Sequence, residues 1–496
     1  MKKIINILAA TMSVVALAAC SDKETDYIEP RVFADQSAPQ VLSVSPEAGA
    51  TQLDSFTNVV ITYDEPVYAA PNTTIRVYTN DSTYYYLNDT LSYTQGNQLI
   101  IPLHAQGGQT YKVVVMKPTV RDSSYNFASD YSLSFSVRAY NNFADSLFQI
   151  TPTLVNPNAT EPTKKLYQYL VDNFGKNVLS GAMADVSWNT AYADTMYQMT
   201  GRYPALNCFD FIHHAWSKPL RNSNWIDYTN TKPVEDWYNN GGIVACMWHW
   251  NVPASAADST NLNTYTASAD KTTFTTINAT RTNRWEYAWA MRDIDIIAGY
   301  LLDLQAKGIP VIWRPLHEAR GNYGKWDGTG KAWFWWGASG PAYFKKLWRM
   351  MFDEFKARGV NNVIWVWTSE GYYDNGDGTT DDALWYPGDD YVDIIARDYY
   401  SKNLNTPYHA SIAKEYETLR KITNGRKLIT LGECDAIPSI ENMFTDGAMW
   451  SWVMPWYGAD SEGTKYVGGS YNTSVFLNSF FNNDNVITRD ELPSFK

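Results

Sequence analysis

From about residue 150 onward, short apolar runs alternate with longer stretches in which hydrophobic positions recur every three to four residues. Eight of the short runs read as strands, over residues 178–185, 203–211, 242–250, 310–318, 362–370, 392–400, 427–435 and 448–457. Amphipathic helices lie between several of them, most clearly over 285–307 and 341–358. Eight β/α units across residues 150–496 predict a (β/α)8 TIM barrel. A doubly wound open sheet is the alternative. No GxGxxG follows a strand and no GxxxxGK[ST] occurs, so nucleotide-binding versions of that sheet lack support and no cofactor is expected.

Upstream the texture changes. Residues 38–140 carry short alternating strands separated by Gly, Asn and Asp turns, the pattern of a small all-β sandwich. The stretch "SPEAGATQLDSFTNVVITYDEPV" resembles bacterial Ig-like modules, which implies a spacer, with glycan binding as a second role. Residues 1–20 read as a signal peptide: Lys2 and Lys3, then an apolar run ending in Leu17-Ala18-Ala19-Cys20. That ending resembles a lipobox, which implies lipidation of Cys20. Residues 21–37 are polar and suit a linker, and Ser21-Asp22-Lys23-Glu24 resembles the acidic signal that exports some lipoproteins to the cell surface. The expected location is therefore the outer membrane of a Gram-negative bacterium, with the barrel outside the cell and a periplasmic placement as the alternative. Membrane contact is expected only through the lipid anchor, because no other run approaches the length of a span.

Charge and composition narrow the partner. A net charge of -12 argues against nucleic acid and anionic membrane surfaces, which need a basic face. Aromatic residues make up 15% of the chain and include 20 Trp, which suits stacking surfaces for sugar rings. Cys208, Cys246 and Cys434 form no CxxC pattern and read as buried apolar residues. A metal-dependent hydrolase would draw on His213, His214, His249 and His317, but no HxH or HExxH spacing occurs, and no metal is expected. The acidic stretches 374–382 and 482–493 lack the ordered spacing of a calcium loop and read as solvated turns.

Catalytic residues of a barrel sit at the C-terminal ends of its strands. Here those ends carry Asp185, Asp210, His249, Glu318, Glu370, Asp398 with Tyr400, Glu433 and Trp456. Glu318 closes the fourth run in "RPLHE" and Glu433 the seventh in "LITLGECDAIP". Two carboxyls facing each other across a cleft are the minimum apparatus for glycosidic cleavage, one protonating the leaving oxygen and one attacking or activating water. Arg314, on the same run as Glu318, is placed by strand alternation to point inward, either keeping a carboxylate ionised or serving as a structural ion pair.

"RPLHEARG" followed by "WFWWG" at 333–337 resembles glycoside hydrolase family 26, best known for β-mannanases. "LSGAMAD", "TGRYPALNCFD", "GGIVACMWHWNVP", "GDDYVDIIARDYY", "GECDAIP" and "MPWY" extend the resemblance over about residues 155–496. It implies a retaining endo-β-1,4-mannanase with Glu318 as acid/base and Glu433 as nucleophile. The pKa of Glu318 would then lie above that of Glu433 until the covalent intermediate forms. It further implies substrate-binding roles for His249, His317, Trp333, Tyr400 and Trp456, with Tyr399 competing with Tyr400 for the strand-six position. The substrate implied is mannan or galactomannan, with β-glucan or β-1,3-xylan as alternatives. A non-catalytic surface glycan-binding protein is the rival of another class. A monomer is expected, with other surface glycan-uptake proteins as further partners.

Two departures from the resemblance stand out. Residues 322–332 separate the "HE" and "WFWW" segments that are nearly contiguous in many relatives, and Trp326 inside them competes with Trp333 for sugar stacking. Ala319-Arg320 also replaces the pairs familiar after the acid/base in mannanases. Both bear on which glycan fits rather than on the bond-breaking chemistry.

Overall fold

The computed structural model describes residues 35–53, 58–70, 74–78, 84–86, 92–103, 105, 108–138, 141–185, 188–221, 226–324, 331–370, 381–404 and 406–496. The expected signal peptide with Cys20, the linker up to residue 34, Trp326 and residues 374–380 lie outside these. The chain divides into a smaller all-β unit and a larger barrel unit.

In the smaller unit two four-stranded sheets carry the alternation read from the sequence. One holds Val41–Ser45, Asn58–Tyr63, Gln98–Pro102 and Tyr93–Gln95, and the other Tyr131–Ser136, Thr110–Met116, Thr74–Tyr78 and Tyr84–Tyr86. Every second residue turns inward, so Val59, Ile61 and Tyr63 of the first sheet are buried, as are Tyr111, Val113 and Val115 of the second.

Apart from a short strand, Val486–Ile487, the described residues of the larger unit form eight strands: β1 (Val178–Met183), β2 (Leu206–Asp210), β3 (Ile243–Trp248), β4 (Val311–Pro315), β5 (Val363–Ser369), β6 (Ile394–Tyr399), β7 (Leu428–Cys434) and β8 (Trp452–Pro455). Each pairs in parallel with the next, and β1 pairs with both β2 and β8, which closes the sheet. A closed ring rules out the open doubly wound alternative. All residues of these strands are buried because helices cover the outside and packed side chains fill the inside.

The two helices expected from periodicity are Trp285–Ala306 and Pro341–Ala357. The second starts on Pro341, whose missing N–H costs nothing in a first turn. It buries Phe344, Leu347, Trp348, Met351 and Phe355, the i, i+3, i+4, i+7, i+11 stripe of one helical face.

The fourth strand differs from expectation. It stops at Pro315 instead of reaching Glu318. Proline has no N–H to extend the ladder, and Leu316 and Glu318 both turn into the left-handed region at φ 51°. Glu318 therefore stands in the loop above β4, three residues past the strand. Left-handed backbone at a non-glycine residue costs about 1–3 kcal/mol and persists only where the surroundings fix it.

Candidate active site

The barrel mouth is organised by an extra residue in β7. Leu431 pairs with Arg397 and Glu433 with Asp398, so Gly432 has no partner on β6 and bulges. The same slip recurs against β8. Bulges at barrel rims re-aim the following side chain, and this one turns Glu433 into the barrel. A side chain at position 432 would force its surroundings to shift, since an added Cβ would lie 2.7 Å from Asp398 Oδ1.

Arg314 of β4 points inward and is 3% exposed. Its Nη2 donates to Glu433 Oε1, while Nη1 donates to Asp398 Oδ2 at 2.8 Å and to Thr368 Oγ1 at 3.1 Å. One guanidinium thus lies between two buried carboxyls. A burial cost this large is tolerated when charges are paired and hydrogen-bonded. Burial pushes Asp398 up to about 7; Arg314 opposes that shift and Glu433 adds to it. The other oxygen of Glu433, Oε2, accepts the hydroxyl of Tyr400 at 3.0 Å. Tyr399 turns away to Thr406 at 2.5 Å, which separates the two adjacent tyrosines.

Glu318 has a different environment. One carboxyl oxygen from each of Glu318, Asp398 and Glu433 lies within 4.8 Å of the others. Arg314 makes its hydrogen bonds to Asp398 and Glu433. Burial, then the negative charge of Glu433 and Asp398, hold the pKa of Glu318 well above the usual carboxylate range against the smaller pull of Arg314. The site therefore sets Glu433, clamped by a cation, beside Glu318, whose protonated form is favoured by burial and by its carboxylate neighbours. Three carboxyls in such a group have the donor atoms for a metal, but here Arg314 supplies the neutralising charge.

Two histidines form the next layer. His249, just past β3, lies with Nδ1 2.5 Å from Asp210 Oδ2 and Nε2 3.1 Å from His317 Nε2. Burial works against a charge on His249, but the Asp210 carboxylate outweighs it and raises the pKa. For His317, burial and the charges of His249 and Arg314 all lower it, well below the ordinary value. These opposite directions assign the shared proton: His249 Nε2–H donates and His317 Nε2 accepts. His317 Nδ1 then carries hydrogen and is buried with no partner among the described residues.

Aromatic side chains complete a cleft of about 490 Å³, lined by His249, His317, Glu318, Trp333, Tyr400, Glu433, Trp456, Tyr457 and Tyr466 among others. The cleft thus gathers all seven candidate catalytic and substrate-binding side chains. Trp333 is held by its N–H on Gly321 O at 3.0 Å, and any Cβ at Gly321 would collide with its ring. Trp335 and Trp336 are fully buried, so Trp333 is the tryptophan of "WFWWG" that reaches the cleft. Asp185 and Glu370 are not among the lining residues. His214 lies in the core with Nε2 3.2 Å from Asp293 Oδ2 and does not line the cleft.

Sequence reasoning did not assign Asp398 and Asp210 as partners of Arg314 and His249, nor Tyr457 and Tyr466 as cleft walls. Asp398 and Asp210 were visible as strand-end residues, but the side chains they pair with are 84 and 39 positions away. Nothing local marks Tyr466.

Comparison with known proteins gives a consistent picture. Residues 155–491 match the description Glycosyl hydrolase family 26, and residues 35–137 match Bacterial Ig-like domain. The chain is 33% identical over 353 residues to mannan endo-1,4-beta-mannosidase A of Piromyces sp, covering 70% of this chain and 52% of that protein. It thus spans about half the length of that relative. Among solved structures, the family 26 domain of a Prevotella bryantii endo-beta-mannanase/endo-beta-glucanase is 39% identical, with a TM-score of 0.59 over 69% of this chain and 99% of that one. A beta-mannanase from a symbiotic protist of the termite Reticulitermes speratus, complexed with gluco-manno-oligosaccharide, is 32% identical with a TM-score of 0.58 over 70% and 99% of the two chains.

Proposed function

The chain belongs to glycosyl hydrolase family 26, and from that premise we propose that it is a retaining endo-β-1,4-mannanase acting on mannan and galactomannan. The observation that carries this reading is the asymmetry of two carboxyls. Glu433 is clamped by Arg314 and Tyr400, while Glu318 lies within 4.8 Å of it and is held in its protonated form. A separation of this order suits direct attack, for which about 5–5.5 Å between carboxyl groups is typical; an inverting pair needs room for water between them.

In the first step Glu433 attacks the anomeric carbon of the sugar on the non-reducing side of the scissile bond. The electron pair of the glycosidic bond passes to the leaving oxygen as Glu318 delivers its proton there. Once Glu433 is esterified it no longer carries the charge that raised the pKa of Glu318. Its pKa falls, so Glu318 stays ionised as the carboxylate and serves as the general base. It takes a proton from water, the hydroxyl attacks the anomeric carbon, and the bond to Glu433 breaks with release of a sugar of retained configuration.

Arg314 holds one oxygen of Glu433 and Tyr400 fixes the other. His249 and His317 line the sugar subsite beside the two carboxyls, and Trp333 and Trp456 stack against pyranose faces on either side of the scissile bond. The Ig-like unit serves as a spacer on a lipid anchor at Cys20, and the enzyme works as a monomer at the outer face of the outer membrane. Incubation of the purified chain with mannohexaose, β-glucan and β-1,3-xylan tests the reading. Internal cleavage of mannohexaose, with the β-anomer formed first by NMR, supports it. Faster cleavage of either other glycan, or the α-anomer first, contradicts it.

A further inference from the structure

A larger cavity than the catalytic cleft lies elsewhere on the barrel unit. This groove of about 660 Å³ is bordered by the helices Ala191–Thr200 and Lys232–Asn239. Trp188 and Asn230 line it from the loops before these helices, and Asn240 and Arg489 line it near the opposite end. Eight residues of helix give it a length of about 12 Å. The volume falls within the range of small-molecule sites, about 300–1,000 Å³.

Its chemistry favours a neutral, hydroxyl-rich ligand. Two carboxyls, Asp194 and Asp236, face two cations, Lys232 and Arg489. Lys232 is paired with Asp236 at 2.6 Å, so neither an anion nor a cation finds an excess of opposite charge. Arg489 lies 3.7 Å above the Tyr203 ring and 4.8 Å from that of Trp237, which fixes the guanidinium in place. The side-chain NH2 of Asn230 and the side-chain carbonyl of Asn240 make no hydrogen bond among the described residues, leaving a donor near one end and an acceptor near the other. Trp188 is partly exposed, with its indole N–H tied to Asn230 O at 3.0 Å and its ring braced by Phe209 and Tyr228. It is a rigid aromatic surface.

The groove also approaches the catalytic cleft. Tyr192, two residues beyond the groove-lining Thr190, has its ring 6.1 Å from that of Tyr457, a wall of the cleft. We propose that this groove is a second, non-catalytic binding site for a neutral β-linked oligosaccharide segment, holding polymer beside the cleft in which it is cut. The proposal rests on the reading of the chain as a polysaccharide hydrolase.

The test uses a Glu433→Ala chain, which cannot degrade its ligand, in native gels containing galactomannan, with β-glucan and xylan gels as further arms. Trp188→Ala is compared with the parent. Because Trp188 also packs on core rings, Asn230→Ala/Asn240→Ala is compared separately, with folding checked by circular dichroism. Retardation in galactomannan is expected to weaken about tenfold for Trp188→Ala, the usual cost of losing an aromatic anchor. The same changes in the Glu433-bearing chain are expected to leave mannohexaose hydrolysis unaltered. If both variants migrate like the parent in every gel, the groove proposal is wrong. A wild-type chain that is retarded through the groove yet leaves mannohexaose uncut would instead overturn the proposed function and leave the groove standing.

Discussion

Arg314 and Asp398 form an ion pair at 2.8 Å inside the barrel mouth, and the second arm of the same guanidinium rests on Glu433. A single cation therefore separates two buried carboxyls. Removing it with Arg314→Met leaves both facing each other unpaired, which costs about 3–5 kcal/mol for a buried pair. Urea unfolding of Arg314→Met should show a loss of that size together with loss of hydrolysis. Asp398→Asn, which keeps a partner for Arg314 and removes one charge, should lose much less stability.

Gly432→Ala tests whether the bulge aims the nucleophile. Its Cβ would meet Asp398 Oδ1 at 2.7 Å, so either β7 or Asp398 must move. Overpacking of this kind costs about 1–3 kcal/mol. The expected kinetic signature is a fall in kcat with little change in KM on mannohexaose. An unchanged kcat would show that Glu433 reaches its position without a glycine at the bulge.

Tyr400→Phe removes one hydroxyl from the carboxylate of Glu433. Hydrogen bonds to charged groups contribute about 1.5–3 kcal/mol, so kcat/KM should fall by roughly ten- to hundredfold. Tyr399→Phe, whose hydroxyl lies on Thr406, should leave kcat/KM unchanged.

Glu318 supplies the proton in the first step, so Glu318→Ala should slow mannohexaose hydrolysis by about 10²–10⁴-fold. A substrate with a dinitrophenyl leaving group needs no such proton and should be affected far less, with added azide restoring turnover. In the wild-type chain the raised pKa of Glu318 means that the acid is present below that value and lost as pH rises through it. The alkaline limb of kcat/KM should therefore lie well above the ordinary range of a glutamate.

Glu370 stands just past β5, fully buried, with neither carboxyl oxygen hydrogen-bonded among the described residues. Burial first, then Glu318 and Asp398, raise its pKa well above 4.5. The folded chain thus holds a proton that the unfolded chain releases, and stability falls as pH rises above 4.5. Glu370→Gln removes that dependence. Its melting temperature should exceed that of the wild type at neutral pH, by a margin that shrinks as pH is lowered toward 4.5.

Much of this arrangement was legible in the chain because it is local. Near-continuous apolar runs marked all eight strands, and carboxylates at the C-terminal ends of two of these runs marked Glu318 and Glu433. What was hidden depends on contacts or geometry that periodicity does not encode. The slip at Gly432 is a relation between β7 and both its neighbours. The early end of β4 was written in Pro315, but the left-handed turns at Leu316 and Glu318 defy the preference of both residues. Such conflicts between local preference and final structure are expected where function is built. The pairing of Asp210 with His249 and the placement of Tyr466 required the closed barrel.

Double displacement requires Glu433 to become covalently bonded to sugar. Exposing the chain to a mannobiosyl fluoride bearing fluorine at C2 of the sugar at the cleavage point, then mapping its peptides by mass spectrometry, reads that bond itself. A stoichiometric adduct is expected on the peptide containing Glu433, formed as activity is lost. An adduct on Glu318, or hydrolysis of the reagent with inversion and no adduct, would contradict it.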